Sequence, residues 1–269
     1  MDDLRSALTL ATDEELGDLT ELLFQPKFNP LDYVIMPRPV QVQGYDRSRQ
    51  ISAIEHRFRF LAADGVTVLT GQSRGLEYRQ VLRQVCRHLQ IPFSADFQTI
   101  DLESEILLFI LQKTCRNLSP RQYRDFNHHL QQALKRSEFY PQLSETTRQD
   151  PLKILLAGGS VLAIGSLLRS WFLRQLAQEW ALHAAKCLAA RPIVATGRGL
   201  MGLALASRGA AVNLTRYSAM RSALAVISPA LWGWIVLDLG WRSIATNYSR
   251  VIPFIFSIAQ IRLTRSSSL

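Results

Sequence analysis

A chain of 269 residues with 48% hydrophobic content is long and apolar enough to bury a core as one large domain or two modest ones, which excludes a wholly disordered state. Its net charge of +9 is unevenly spread: residues 1–150 carry 18 Lys/Arg against 20 Asp/Glu, whereas residues 151–269 carry 13 against 2, Glu179 and Asp238. Three widely spaced cysteines, Cys86, Cys115 and Cys187, contain no C-x-x-C pair and point to free, buried thiols in a reducing compartment.

In chain order, the acidic opening from Met1 to Leu19 lacks a cationic segment followed by an apolar core, so no secretory signal is expected. Thr12 followed by Glu15 forms a capping box, with Leu16, Leu19, Leu22 and Leu23 at helical spacing behind it; the first helix is expected there. Prolines at 30, 37 and 39 then predict a connecting loop with a short extended piece. Ile51, Ile54, Phe58 and Leu61 share one helical face that stops at Asp64-Gly65, and Tyr78, Val81, Leu82, Val85 and Leu89 repeat the pattern until Pro92 ends it. A helix beginning near Thr99 has acids in its first turn, where the macrodipole favours them. Ser119, Pro120 and Gln122 supply the cap, the first helical position and the box residue of the next. Residues 1–140 therefore read as an all-α domain, and the polar stretch 141–151 as a linker.

Beyond the linker, residues 152–269 are both apolar and basic. Two uncharged runs, Ile154 to Leu168 and Ser222 to Leu237, flank a stripe in which Arg169, Arg174, Gln178, Glu179, His183 and Lys186 lie opposite Trp171, Leu176, Trp180 and Leu188. A typical nucleic-acid tail sets its cations among polar residues, so this composition favours anionic lipid over nucleic acid as partner. A spanning helix needs about 20 apolar residues, which neither run supplies without Arg169 or Asp238. Two crossings would also strand most of the intervening arginines on the far side, against the positive-inside tendency. The expectation is a peripheral or re-entrant region on the cytoplasmic face of a membrane. Arg169, Trp171, Arg174, Trp180, Trp232, Trp234 and Trp241 are its contact candidates. A second soluble helical bundle is the alternative.

Gly197, Gly199 and Gly202 match G-x-G-x-x-G, and Arg216 stands where a 2′-phosphate would be received, so an NADP-dependent oxidoreductase is a second reading. The helix available between Gly202 and Gly209 is about two turns, too short for a normal crossover, and no further strand-helix alternation follows. Small residues that let apolar helices pack closely explain these glycines more simply. His128 and His129 are adjacent on a helix and diverge, so they do not form an i, i+4 metal pair. No cofactor, metal or catalytic group is expected, and nucleic-acid binding by the basic half is a third reading.

Three stretches resemble the YaaW family of bacterial proteins, which is linked to the ubiquinol-cytochrome c chaperone family. They are "DLRSALTLATDEELGDLTELL", the central stretch from Gly65 to Thr114 containing Gly75, Tyr78 and Arg79, and "SRVIPFIFSIAQIRLTR" near the end. The resemblance implies a helical, cofactor-free, chaperone-like module that binds a protein client, such as a subunit of an energy-converting membrane complex under assembly. Gly75, Tyr78 and Arg79 are its client-binding candidates.

Overall fold

The computed structural model describes residues 3–25, 37–63, 75–138, 140–156, 172–180 and 247–265. Among these residues the regular structure is helical, with no strand, as the all-α reading expects. The helices are α1 (Asp3–Leu10), α2 (Asp13–Phe24), α3 (Pro39–Gln43), α4 (Arg47–Ala62), α5 (Tyr78–His88), α6 (Thr99–Arg116), α7 (Pro120–Lys135), α8 (Glu145–Gln149), α9 (Pro151–Leu156), α10 (172–180) and α11 (Tyr248–Arg265).

The local signals act where the sequence places them. Thr12 caps α2 in a reciprocal box: its hydroxyl accepts from the Glu15 amide, and its own amide donates to the Glu15 carboxylate at 2.7 Å. Ser119 and Gln122 do the same for α7, with Pro120 in the first turn. Each box satisfies amides that no helical carbonyl can reach. The apolar faces of α4 and α5 are buried at Ile51, Ile54, Phe58 and Leu61, and at Tyr78, Val81, Leu82 and Val85.

Three expectations change. An eight-residue α1 precedes the first expected helix and buries Leu4, Ala7 and Leu8. Within the loop expected around the prolines, Pro39–Gln43 form the helix α3, because Pro39 sits in its first turn, where a missing amide costs nothing, and Val42 is buried; residues 26–36 lie outside the described residues. Residues 141–151, read as a linker, are packed. Leu143 and Thr147 are buried, the Tyr123 hydroxyl donates to Asp150 at 2.9 Å, and Arg148 donates to the carbonyls of Leu143 and Pro141 at 2.9 and 2.6 Å.

The centre of the body is α11, which the sequence groups with the apolar basic half. It packs against α6, α1, α2, α4 and α5, and is buried without interruption from Arg250 to Ile261. A helix apolar on every side has to be enclosed. Phe254 stacks on Phe58 with ring centroids 4.5 Å apart, and Phe58 meets Tyr78 edge-on at 5.7 Å. Full burial of one such side chain stabilises by roughly 1.5–3 kcal/mol. Both α9 and α10 belong to the same body: α9 packs on α6 and α7, Trp180 of α10 meets Phe126 of α7 edge-on at 5.4 Å, and Gln260 Nε2 of α11 donates to the Ala177 carbonyl at 3.5 Å. Among the described residues no helix is long and apolar enough to cross a membrane.

Candidate functional site

An arginine appears every fourth residue along α5, at 79, 83 and 87, so all three rise from one helical stripe. Opposite them runs the connection to α6. Arg79 donates through Nε and Nη2 to the Phe97 carbonyl at 3.1 and 2.5 Å, Arg83 donates to the Ala95 carbonyl at 2.8 Å, and Arg87 lies over the Phe93 ring at 6.0 Å. The ladder satisfies carbonyls of an irregular segment and shapes one wall of an open groove.

That groove has a volume of about 490 Å³ and is lined by Asp3, Arg79, Ala95, Asp96, Gln98, Thr99, Ile100 and Arg262. Four separate parts of the chain meet there: the start of α1, the start of α5, the α5–α6 connection with the first turn of α6, and the last turn of α11. The Thr99 hydroxyl donates to the Asp3 carboxylate, tying α6 to α1. Ile100 stands on the rim with 53% of its surface exposed, an apolar contact beside polar walls.

Beneath the groove lies a buried polar cluster. Arg262 donates through Nε to Glu103 Oε2 at 2.9 Å and through Nη2 to Glu103 Oε1 at 3.4 Å, while Nη2 also reaches the Asp3 carbonyl at 2.8 Å. Burial pushes the Glu103 carboxyl up, against the pull of the Arg262 guanidinium and the Tyr78 phenol. Tyr78 is raised well above the usual phenol range by its own burial and by the Glu103 carboxylate. The charges are paired, as burial in a low-dielectric interior requires. The groove floor is thus charge-paired, and its lining offers guanidiniums, carboxylates, an amide, a hydroxyl and the aliphatic side chains of Ala95 and Ile100. Such a surface suits the hydrogen bonds and side chains of a peptide.

Cys86 and Cys115 are buried free thiols pushed up to about 12 by desolvation, so both are protonated at neutral pH. His128 and His129 diverge on α7 with ring centroids 6.2 Å apart, and His128 pairs with Gln132 at 2.8 Å. Among the described residues no group of three metal-ligating side chains converges.

Of the client-binding candidates, Arg79 lines the groove, Tyr78 lies buried beneath it, and Gly75 is exposed with open space where a Cβ would stand. Asp3, Gln98, Thr99, Ile100, Glu103 and Arg262 were not singled out by the sequence; the available hint was an arginine in the last turn of a helix otherwise apolar. Of the membrane-contact candidates, Arg174 is half-buried, whereas Trp180 is fully buried against Phe126 and does not face a headgroup layer. The amphipathic stripe of α10 is real, but its apolar side, Phe172, Leu173, Leu176 and Ala177 with Trp180, faces protein. Arg169, Trp171, Trp232, Trp234, Trp241 and the glycine motif with Gly197, Gly199, Gly202 and Arg216 lie outside the described residues.

Comparisons with family models, curated proteins and solved structures return no match for this chain.

Proposed function

We propose that this chain is a non-enzymatic, chaperone-like binding protein that holds a protein client at the cytoplasmic face of a bacterial membrane. The observation that carries the reading is the groove, where carbonyl-anchored Arg79 and the exposed Ile100 flank a charge-paired floor. Its lining matches a peptide better than a small substrate, since polar donors and acceptors of both signs alternate around aliphatic contacts. The basic, apolar composition of 157–171 and 181–246 supports attachment to anionic lipid, through their arginines and tryptophans. A subunit of an energy-converting complex during assembly is the client class that the YaaW resemblance suggests.

A photo-crosslinking side chain placed at Ile100 tests this in intact cells. The expected result is one discrete protein adduct that disappears on Arg79→Glu and is not formed from the same probe at Val40, which is 77% exposed on α3. Adducts of equal yield from both positions, or none from Ile100, would remove the groove from the proposal. Binding to nucleic acid instead would show as steep salt-dependent retention on DNA or RNA.

A further inference from the structure

The groove holds charges of both signs, but the two signs are not equally available to a partner. Arg79 is half-buried and commits Nε and Nη2 to the Phe97 carbonyl at 3.1 and 2.5 Å. Arg262 leaves only 13% of its side chain exposed and meets both oxygens of the Glu103 carboxylate, at 2.9 and 3.4 Å. The carboxylates of the lining stand the other way out. Asp3 and Asp96 are both exposed; the Asp3 side chain takes one hydrogen bond, from the Thr99 hydroxyl, and the Asp96 carboxylate accepts none among the described residues.

Desolvation decides which sign is left over. A guanidinium already bonded to protein acceptors has little to give a newcomer, and an anion seeking it would have to settle beside two water-facing carboxylates. A cation arriving at those carboxylates exchanges only water for a charge-assisted hydrogen bond. Lining and floor together hold three carboxylates, Asp3, Asp96 and Glu103, against two guanidiniums, so this place is acidic although the whole chain carries +9. Farther along the same wall Arg83 is bonded to the Ala95 carbonyl at 2.8 Å and Arg87 lies over the Phe93 ring, and neither lines the groove. Ile100, exposed on the rim, is the apolar contact beside these carboxylates.

We infer that the groove selects a cationic segment of a protein partner: an aliphatic side chain rests on Ile100 and a neighbouring lysine or arginine meets Asp96 and Asp3. The inference rests on the peptide-binding reading proposed above and adds the sign of what binds. Arg79 then acts through shape, holding the α5–α6 connection that carries Asp96, and does not act as an anion receptor.

The purified full-length chain, with a photo-crosslinking side chain at Ile100, tests this against three short peptides. They carry lysine, glutamine or glutamate between two leucines and are otherwise identical and blocked at both ends. The expected adduct yield falls from lysine to glutamine to glutamate, with lysine over glutamate by roughly fivefold at low salt, the scale of an exposed ion pair. The spread should shrink as salt screens the pair. Asp96→Lys should invert the order, and Asp96→Asn should bring lysine and glutamine together; Asp96 is exposed, so both changes leave the core intact. Asp125→Lys, an equal change of net charge at an exposed site on α7 outside the groove, should leave the order as it was. Equal yields from the three peptides, glutamate first in the parent chain, or the same response to Asp96→Lys and Asp125→Lys would overturn the selection of a cation while leaving peptide binding at the groove standing. No adduct from any of the three overturns both.

Discussion

The two ends of α11 carry arginines that meet different kinds of partner: Arg250 is buried, whereas Arg262 and Arg265 are half-buried. At the carboxy-terminal end Arg262 meets a carboxylate, Glu103, and Arg265 meets Glu15 at 2.9 Å. At the amino-terminal end Arg250, fully buried, donates to the carbonyls of Leu23 and Gln25 at 3.1 and 2.6 Å, and Arg57 of α4 donates to the same Leu23 carbonyl at 3.2 Å. Those carbonyls close α2, where the helix dipole presents partial negative charge and the backbone has no amide of its own to offer. The carboxy-terminal arginines meet full charges of opposite sign; Arg250 meets the oriented carbonyls that close a helix. The difference teaches that a helix terminus aimed at a buried cation adds oriented carbonyls to its partners, and that the two ends should respond differently to substitution and to pH.

The largest expected effect is at the carboxylate end. Glu103→Leu removes the carboxylate of Arg262, leaving the guanidinium the Asp3 carbonyl and the Ser6 hydroxyl, and should destabilise by about 3 kcal/mol; adding Arg262→Met should recover much of the loss, because an apolar pair of similar volume replaces a broken ion pair. Equal and additive losses in a denaturant double-mutant cycle would mean that the two groups are not coupled. Arg250→Met should cost less, about 1.5–3 kcal/mol, the scale of hydrogen bonds to a charged group, since Arg57 still serves the Leu23 carbonyl. A loss as large as that of Glu103→Leu would erase the distinction between the two ends.

A smaller, pH-dependent effect should come from His88, whose ring stacks on Tyr248 at 3.8 Å beside the start of α11. Burial lowers its pKa below the ordinary value of 6.5. The unfolded chain then binds the proton more readily, so stability should fall as pH drops below about 6.5 and level off once the folded-state pKa is passed. Thermal melts of His88→Gln across that range should be flatter than those of the parent; parallel curves would assign the acid sensitivity elsewhere. The smallest effect is expected for Asp13→Asn, which loses the exposed pair with Arg47 and should change stability by about 1 kcal/mol or less.

Much of the body was legible in the sequence. The Thr12/Glu15 and Ser119/Gln122 boxes act as written, and the buried faces of α4 and α5 follow their 3.6-residue period. The start of α1 escaped because eight residues give too few repeats for periodicity to register, and α3 because its proline was read as a breaker although it stands in a first turn. Residues 141–151 are polar in composition yet packed, since Leu143 and Thr147 anchor what their neighbours make look solvated. At the groove, Arg79 and Tyr78 were singled out within a family-like stretch, whereas Asp3, Thr99 and Arg262 were not. Their proximity depends on contacts spanning 96 to 259 residues, which no local pattern encodes.

By itself the sequence determined that α2, α4, α5, α6 and α7 are helical, where several of them begin, and that greasy and cationic residues concentrate after residue 150. Only the tertiary structure decided what the apolar faces meet. Trp180 and α11 from Arg250 to Ile261 lie inside protein, and the flanks of the apolar stretches share one body. The physical reason is that periodicity reports a face that avoids water, and a lipid layer and a protein interior satisfy that avoidance alike; the choice between them is made by the shape of the neighbours and by whether partners wait there for the buried arginines.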